Sequence, residues 1–321
     1  MIDFRYHLVS IVSIFLALAV GIVLGAGPLQ QQIGQTLTNQ VSQLRKDKAE
    51  LRSQLDTQAH ELEAADQFAE AVTPELVGSR LGGRSVVLVM LPGADSSVAD
   101  DITATMKTAG ATVNGRVKLT SAWADPDQGK VAFRDQLSSN LGPLVGSTAP
   151  ATASVNERMG AILAKALVVS NVADADRATE QSEQALSGLK EAGLIAIDGA
   201  APKPATLAVV VAGPPNTKQT EDTRKAELAT WTTTSDELDK GDSGTVVAGP
   251  LASAEPIGVI GALRSDRSVA AAVSSVDDVQ LQMAQSAIVF ALLEQMNGKS
   301  GHYGTGIGAT AVLPPLPSSG S

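Results

Sequence analysis

Three histidines, six methionines and no cysteine are the entire stock of soft-metal ligands in this 321-residue chain. A soft cation needs several such groups in one coordination sphere, and the spacing does not supply it. His7 borders an apolar run, His60 takes an outward position on a heptad helix, and His302 lies far along the chain. Met90, Met106, Met159, Met283 and Met296 fall in apolar segments, where packing is the ordinary work of a thioether. Asp125 and Asp127 ahead of Gly129 resemble the start of a calcium loop, but the bidentate glutamate is missing. No H-E-x-x-H, no G-x-S-x-G and no Ser/His/Asp set stands out. The residues therefore assign no catalytic, cofactor-binding or metal-ligating role, and the expectation is a protein that is not an enzyme.

Two glycine motifs fail on context. Gly304-Thr305-Gly306-Ile307-Gly308-Ala309 matches G-x-G-x-x-A, but it follows a predicted helix instead of a strand and opens no helix. Gly298-Lys299-Ser300 resembles the end of a phosphate loop, with Leu293 where the first glycine belongs. Three predicted strands end in Gly/Pro turns: Pro92-Gly93, Gly213-Pro214 and Gly249-Pro250. In an open α/β sheet, ligands sit beyond such strand ends. Proline removes the N–H donors a phosphate would use, so these read as structural turns.

The elements that must position anything useful begin with the first 72 residues. Leu8 to Leu29 is 22 residues without a charge, long enough for a hydrocarbon core of about 30 Å at roughly 1.5 Å per residue. A cleaved signal peptide has a shorter apolar run and an A-x-A-like exit; here the exit is Gly25-Ala26-Gly27 followed by Pro28, so a retained anchor is expected. Arg5 before the span, with no further charge until Arg45, places the N-terminus in the cytoplasm and the bulk outside. Ser13, Ala17, Gly21 and Gly25 recur every fourth residue, a small-residue stripe of the kind that lets two membrane helices approach.

From Leu37 the period becomes seven. The d positions are Leu37, Leu44, Leu51, Gln58, Ala65 and Val72; the a positions are Val41, Lys48, Leu55, Leu62 and Ala69. This is the pattern expected of a coiled-coil seam; the alternative is a single amphipathic helix packed on its own domain. Lys48 at an a site favours low order, and Asp47 at g would pair with Arg52 at e across a parallel homodimer, whereas Glu61 and Asp66 would repel. The seam weakens into alanine after Leu62, where the rod broadens or meets a partner. The b, c and f faces, with Glu50, Thr57, Glu63 and Gln67, remain for partner binding. Expected divisions are a cytoplasmic tip and transmembrane anchor over 1–29, a coiled-coil stalk over 30–75, an extracytoplasmic α/β domain over 84–310 and a disordered Pro/Ser tail over 311–321.

Net charge −10 and a pI near 4.8 argue against nucleic acid as a partner. An extracytoplasmic chain of this size needs no disulfides, since a domain of some 230 residues buries its own core. Strands are expected at Ser85–Leu91, Thr112–Leu119, Ala205–Val211, Thr245–Ala248 and Ile257–Ile260. Helices are expected at Ser96–Ala109, Ala153–Leu167, Ala178–Ala192, around Gln219–Trp231, and at Val276–Met296. Apolar strands alternating with helices predict a Rossmann-like, mostly parallel α/β domain behind the transmembrane helix and coiled coil.

The opening MIDFRYHLVSIVSIFLALAVGIVLGAGPL and the closing SVDDVQLQMAQSAIVFALLEQMNGKSGHYG resemble the mycobacterial copper transport protein B (MctB, "copper transporter") family. The likeness extends along the chain, through anchor, heptad helix and α/β domain. It implies an actinobacterial envelope protein linked to copper efflux, for which an outer-membrane pore has been proposed. Relatives are also implicated in cell-division control, acting with a membrane partner to regulate peptidoglycan hydrolysis. Copper is thus implied by the resemblance alone. One apolar helix per chain lines no path unless several chains assemble, and the strands lack the in/out alternation of a membrane barrel. The residues favour a single-pass plasma-membrane protein that dimerises and binds envelope proteins; the alternative is a copper transport component of the envelope.

Overall fold

A computed structural model describes residues 4–25, 28–147, 149–150, 152–241 and 244–316, with side chains described from residue 37 of the second helix onward. Helix α1, Phe4–Gly25, has mean hydropathy 2.8 and is, among the described residues, the one helix long and apolar enough to cross a membrane. Helix α2, Pro28–Val77, runs for 50 residues. The chain forms two compact units, residues 1–65 and 66–321.

In the second unit the order is β1 (Ser85–Met90), α3 (Ser96–Thr108), β2 (Thr112–Leu119), α4 (Gln128–Leu144), α5 (Val155–Leu167), α6 (Glu180–Glu191), β3 (Ile195–Ala196), β4 (Leu207–Val211), α7 (Glu221–Gly241), β5 (Thr245–Ala248), α8 (Val259–Ser265), α9 (Arg267–Ala272), β6 (Ser274–Val276), α10 (Gln282–Gln295) and β7 (His302–Tyr303). Seven strands form one sheet in the order β3-β2-β1-β4-β5-β6-β7, parallel except for β3. The chain leaves β1 in one direction and returns to β1's other side with β4, so the order reverses between them.

The strands are continuous apolar runs because both faces are covered. Along β1, Val87 and Val89 face a core built with α5, α6 and α7, while Val86, Leu88 and Met90 face one built with α3 and α10. Period-two alternation thus feeds two cores from one strand. Helix starts are set by short acceptors: Asp95 takes the Ser97 N–H at 2.9 Å, Asp127 takes Gly129 at 2.9 Å, and Ser154 forms a reciprocal box with Glu157. The Asp125/Asp127 pair is therefore a turn and a helix cap.

Several elements depart from the sequence reading, among them the short strands β3 and β7 and helix α9, which it did not contain. Ile257–Ile260 is no strand: Gly258 opens α8, and a side chain at Gly261 would collide with the Glu255 carbonyl. Short apolar runs do not separate strand from helix. Helix α10 starts at Gln282, because Ser274–Val276 is strand β6. Helix α4 was not foreseen. The expected tail begins as folded chain: Gly304 donates to the Ala311 carbonyl at 3.0 Å and Leu313 packs on the second core. Residues 317–321 lie outside the described residues.

Candidate functional site

The heptad residues come first. In the first unit Leu37, Val41, Leu44, Leu51, Leu55 and Leu62 are 41–68% exposed, and Lys48 is exposed among them. Ser13, Ala17, Gly21 and Gly25 are likewise exposed on α1, and nothing lies within 4 Å of where a Cβ on either glycine would sit. Glu50 accepts from Gln54, Thr57 donates to the Ser53 carbonyl at 2.9 Å, and Glu63 lies 3.9 Å from His60. These three and Gln67 are exposed on α2. So the residues expected at a dimer seam present an uncovered apolar stripe, with the expected docking residues on the same helix.

Past Asp66, α2 serves the α/β domain. Helix α10 has no side-chain cap of its own; the Asp66 carboxylate accepts the Gln282 N–H at 2.7 Å instead. Buried Thr73 bonds Ser286 at 2.9 Å, and Thr105 of α3 donates to Gln285 at 2.9 Å. Of the two alanines that thin the heptad seam, Ala65 is exposed and Ala69 is half-buried, and Asp66 between them caps α10.

The sheet's carboxyl end holds a crevice of about 300 Å³. Two of the three Gly/Pro turns, after β1 and β4, line it, as does the Ile257–Val259 segment beyond β5. Gly93 has φ +81°, and any side chain at Gly213 would strike the Gly93 carbonyl, so the two turns meet backbone to backbone. The wall is one face of α7: Arg224, Glu227, Leu228 and Trp231. Trp231 is 5% exposed. Glu227 accepts from Gln219 Nε2 at 2.7 Å, and Arg224 donates to the Gln219 carbonyl at 3.4 Å. Sequence reasoning missed these α7 residues, although their i, i+3, i+4, i+7 spacing was the available signal.

The discarded G-x-G-x-x-A motif has a structural use. The N–H groups of Thr305 and Gly306 both donate to Asp277 Oδ1 at 2.9 Å. At Gly304, with φ +123°, a side chain would collide with that carboxylate. Asp277 Oδ2 lies 2.8 Å from Arg264 Nη1, in ion-pair contact but out of hydrogen-bond alignment. Arg264 is 4% and Asp277 0% exposed. The guanidinium also reaches Ser275 Oγ and the carbonyls of Tyr303 and Ile307. His302 Nδ1 meets Ser275 Oγ at 3.0 Å; burial, then the Arg264 charge, pushes its pKa down. This is an internal brace. Gly298-Lys299-Ser300, by contrast, closes α10: Gly298 takes φ +69°, and Ser300 bonds the Ala270 and Ala271 carbonyls.

Among the described residues no three His, Asp or Glu side chains gather where they could hold a metal. His7 and His60 are exposed and His302 is half-buried, and Met90, Met106 and Met159 are core residues at 2%, 0% and 1% exposure.

Comparison with known proteins returns one picture along the whole chain. "Copper transporter MctB" of Mycobacterium tuberculosis is 30% identical over 321 residues, covering 97% of this chain and 99% of the relative, and that of Mycobacterium bovis matches equally. The protein of that name from Mycobacterium leprae is 29% identical over 340 residues, covering 98% and 100%. A family model described as "Copper transport outer membrane protein, MctB" matches residues 1–314. Matched from its apolar opening to the end of its sheet, the chain belongs to the MctB family.

Proposed function

We propose that this MctB-family protein is a membrane-anchored parallel homodimer, joined along α2, that acts by binding envelope proteins such as regulators of cell division or peptidoglycan hydrolysis. One observation carries the reading: six apolar residues from Leu37 to Leu62 recur at heptad spacing and stand 41–68% exposed. A stripe of that length on a lone helix is an aggregation liability; a second copy in register covers it and sets Asp47 against Arg52. The α1 helix anchors the dimer in the plasma membrane, N-terminus inside, with the stalk and a Rossmann-like domain outside. The strand order 3-2-1-4-5, reversing beside β1, supports the Rossmann-like part. Glu50, Thr57, Glu63 and Gln67 offer a polar docking face on the same helix.

Because the chain has no cysteine, the test is direct. Leu51→Cys and Leu55→Cys, introduced singly into the full protein in membranes, should each give a disulfide-linked dimer. A parallel seam places each residue opposite its own copy, while Glu50→Cys, on an outward face, should crosslink far less. Equal crosslinking at all three positions, or none at Leu51 and Leu55, overturns the dimer. A mature N-terminus at Pro28 or Leu29 overturns the anchor.

The second reading, copper transport or efflux, is favoured by the relatives' printed name. Calorimetry of the full protein with Cu(I) decides it. A stoichiometric site at about micromolar or tighter, roughly 8 kcal/mol, would make copper handling the direct role.

A further inference from the structure

We propose that the crevice at the carboxyl ends of β1 and β4 binds a small apolar carboxylate, held by the Arg224 guanidinium with its apolar body against Trp231 and Leu228. The place is where an α/β sheet whose strand order reverses offers a cleft. At about 300 Å³ it sits at the small end of ligand pockets, roughly 300–1,000 Å³.

The residues select the ligand. Arg116, Arg134, Arg158 and Arg264 are each tied down, by Asp100, by two backbone carbonyls, by Asp135 and by Asp277. Arg224 is half-buried in the crevice wall, yet no carboxylate among the described residues is in ion-pair contact with it, and its bond to the Gln219 carbonyl is long, at 3.4 Å. It lies in the first turn of α7, where the helix dipole's positive potential is offset by Glu221 and Asp222, so the attraction for an anion rests on the guanidinium itself. A planar guanidinium matches a carboxylate with two parallel bonds. Phosphate fits worse: Pro92, Pro214 and Pro215 line the turns and provide no N–H donors there, and Glu227, one helical turn on, opposes a multiply charged anion. A dinucleotide is excluded by size and by the contact of Gly93 with Gly213.

Two sources carry this chemistry, a free apolar amino acid and the C-terminus of a peptide. In the first, the ammonium would face Glu227.

The test uses the full protein in detergent and three probes: N-acetyl-L-leucine, its primary amide and L-leucine. Calorimetry should show saturable binding of at least one carboxylate probe at millimolar or lower concentration, with the amide about tenfold weaker or absent. Arg224→Gln should weaken the carboxylate about tenfold or more, and Arg224→Lys, which keeps the charge, should restore part of it. Circular dichroism verifies that both variants are folded. Tighter binding of L-leucine assigns the free amino acid, and tighter binding of the N-acetyl form assigns a peptide end; either upholds the carboxylate site. No saturation by any carboxylate up to about 10 mM, equal binding of acid and amide, or unchanged affinity in folded Arg224→Gln overturns it.

Discussion

Leu55 and Leu163 are the same side chain in opposite circumstances. Leu55 on α2 is 63% exposed; Leu163 on α5 is 0% exposed, inside the core on one face of the sheet. The α/β domain packs two cores, a buried ion pair and helix caps from Asp66 to Asp266 out of its own sequence, although it leaves Phe68, Ile307 and a few other apolar side chains exposed. In the first unit the apolar residues at heptad spacing are 41–68% exposed. The difference teaches where each region's stability resides. The domain's resides in its buried cores, whereas on the proposed dimer the first unit's would depend on protein concentration.

The sharpest way to break that contrast is at the buried ion pair. Asp277→Ala strands the Arg264 guanidinium and two loop N–H groups, and should destabilise the domain by about 3–5 kcal/mol, read by chemical denaturation. A small effect would mean that the domain is not self-sufficient in the way its burial implies.

Leucine truncations follow. Leu163→Ala should cost about 2–5 kcal/mol of domain stability. Leu51→Ala with Leu55→Ala should leave domain unfolding unchanged and reduce only self-association, seen by light scattering. Equal loss of domain stability from both sets would erase the distinction.

Titration gives a subtler test. Burial raises the Asp239 pKa from 3.8 to about 6, so between those values the folded protein holds a proton that the unfolded chain releases. The stability this carboxyl contributes is full below about pH 4 and lost as pH rises through about 6. Asp239→Asn should therefore raise stability at pH 8, by up to about 3 kcal/mol, and flatten the pH profile between 4 and 6. A profile unchanged by the substitution would refute the assignment.

The smallest effect is expected at Asp66→Ala, which removes the borrowed cap of α10 and should cost about 1 kcal/mol. It should lower domain stability without altering crosslinking at Leu51, placing Asp66 with the domain instead of the seam.

What could be read in advance follows from the range of the forces involved. Ser85–Met90, Leu207–Val211 and Thr245–Ala248 were legible because strands covered on both faces are unbroken apolar runs. The helices at Ser96–Thr108, Val155–Leu167 and Glu180–Glu191 were legible to within two residues at each end, and the structure adds their caps, Asp95, Ser154 and Thr179. Helix α4 was hidden because its buried residues include Arg134 and Ser138 beside Leu141; no apolar period survives that. Strand β6 is two serines and a valine, too short to outweigh the long apolar run of α10. In the crevice, the Gly/Pro turns marked the place, but the pairing of Arg224 with an open cleft is a property of the fold. The Arg264–Asp277 brace needs Thr305 and Gly306 as well, and local patterns do not connect such distant positions.

That brace has a chemical corollary. The Thr305 and Gly306 amides with Arg264 form a host whose guest is covalently attached, the carboxylate of Asp277 itself. Cutting the guest away should leave the host able to accept a free one. In the Asp277→Ala protein, formate or acetate from solution should recover part of the lost stability where chloride at equal ionic strength does not. A glycine motif that looks built for a diffusible anion would then reveal its affinity once the tethered one is gone.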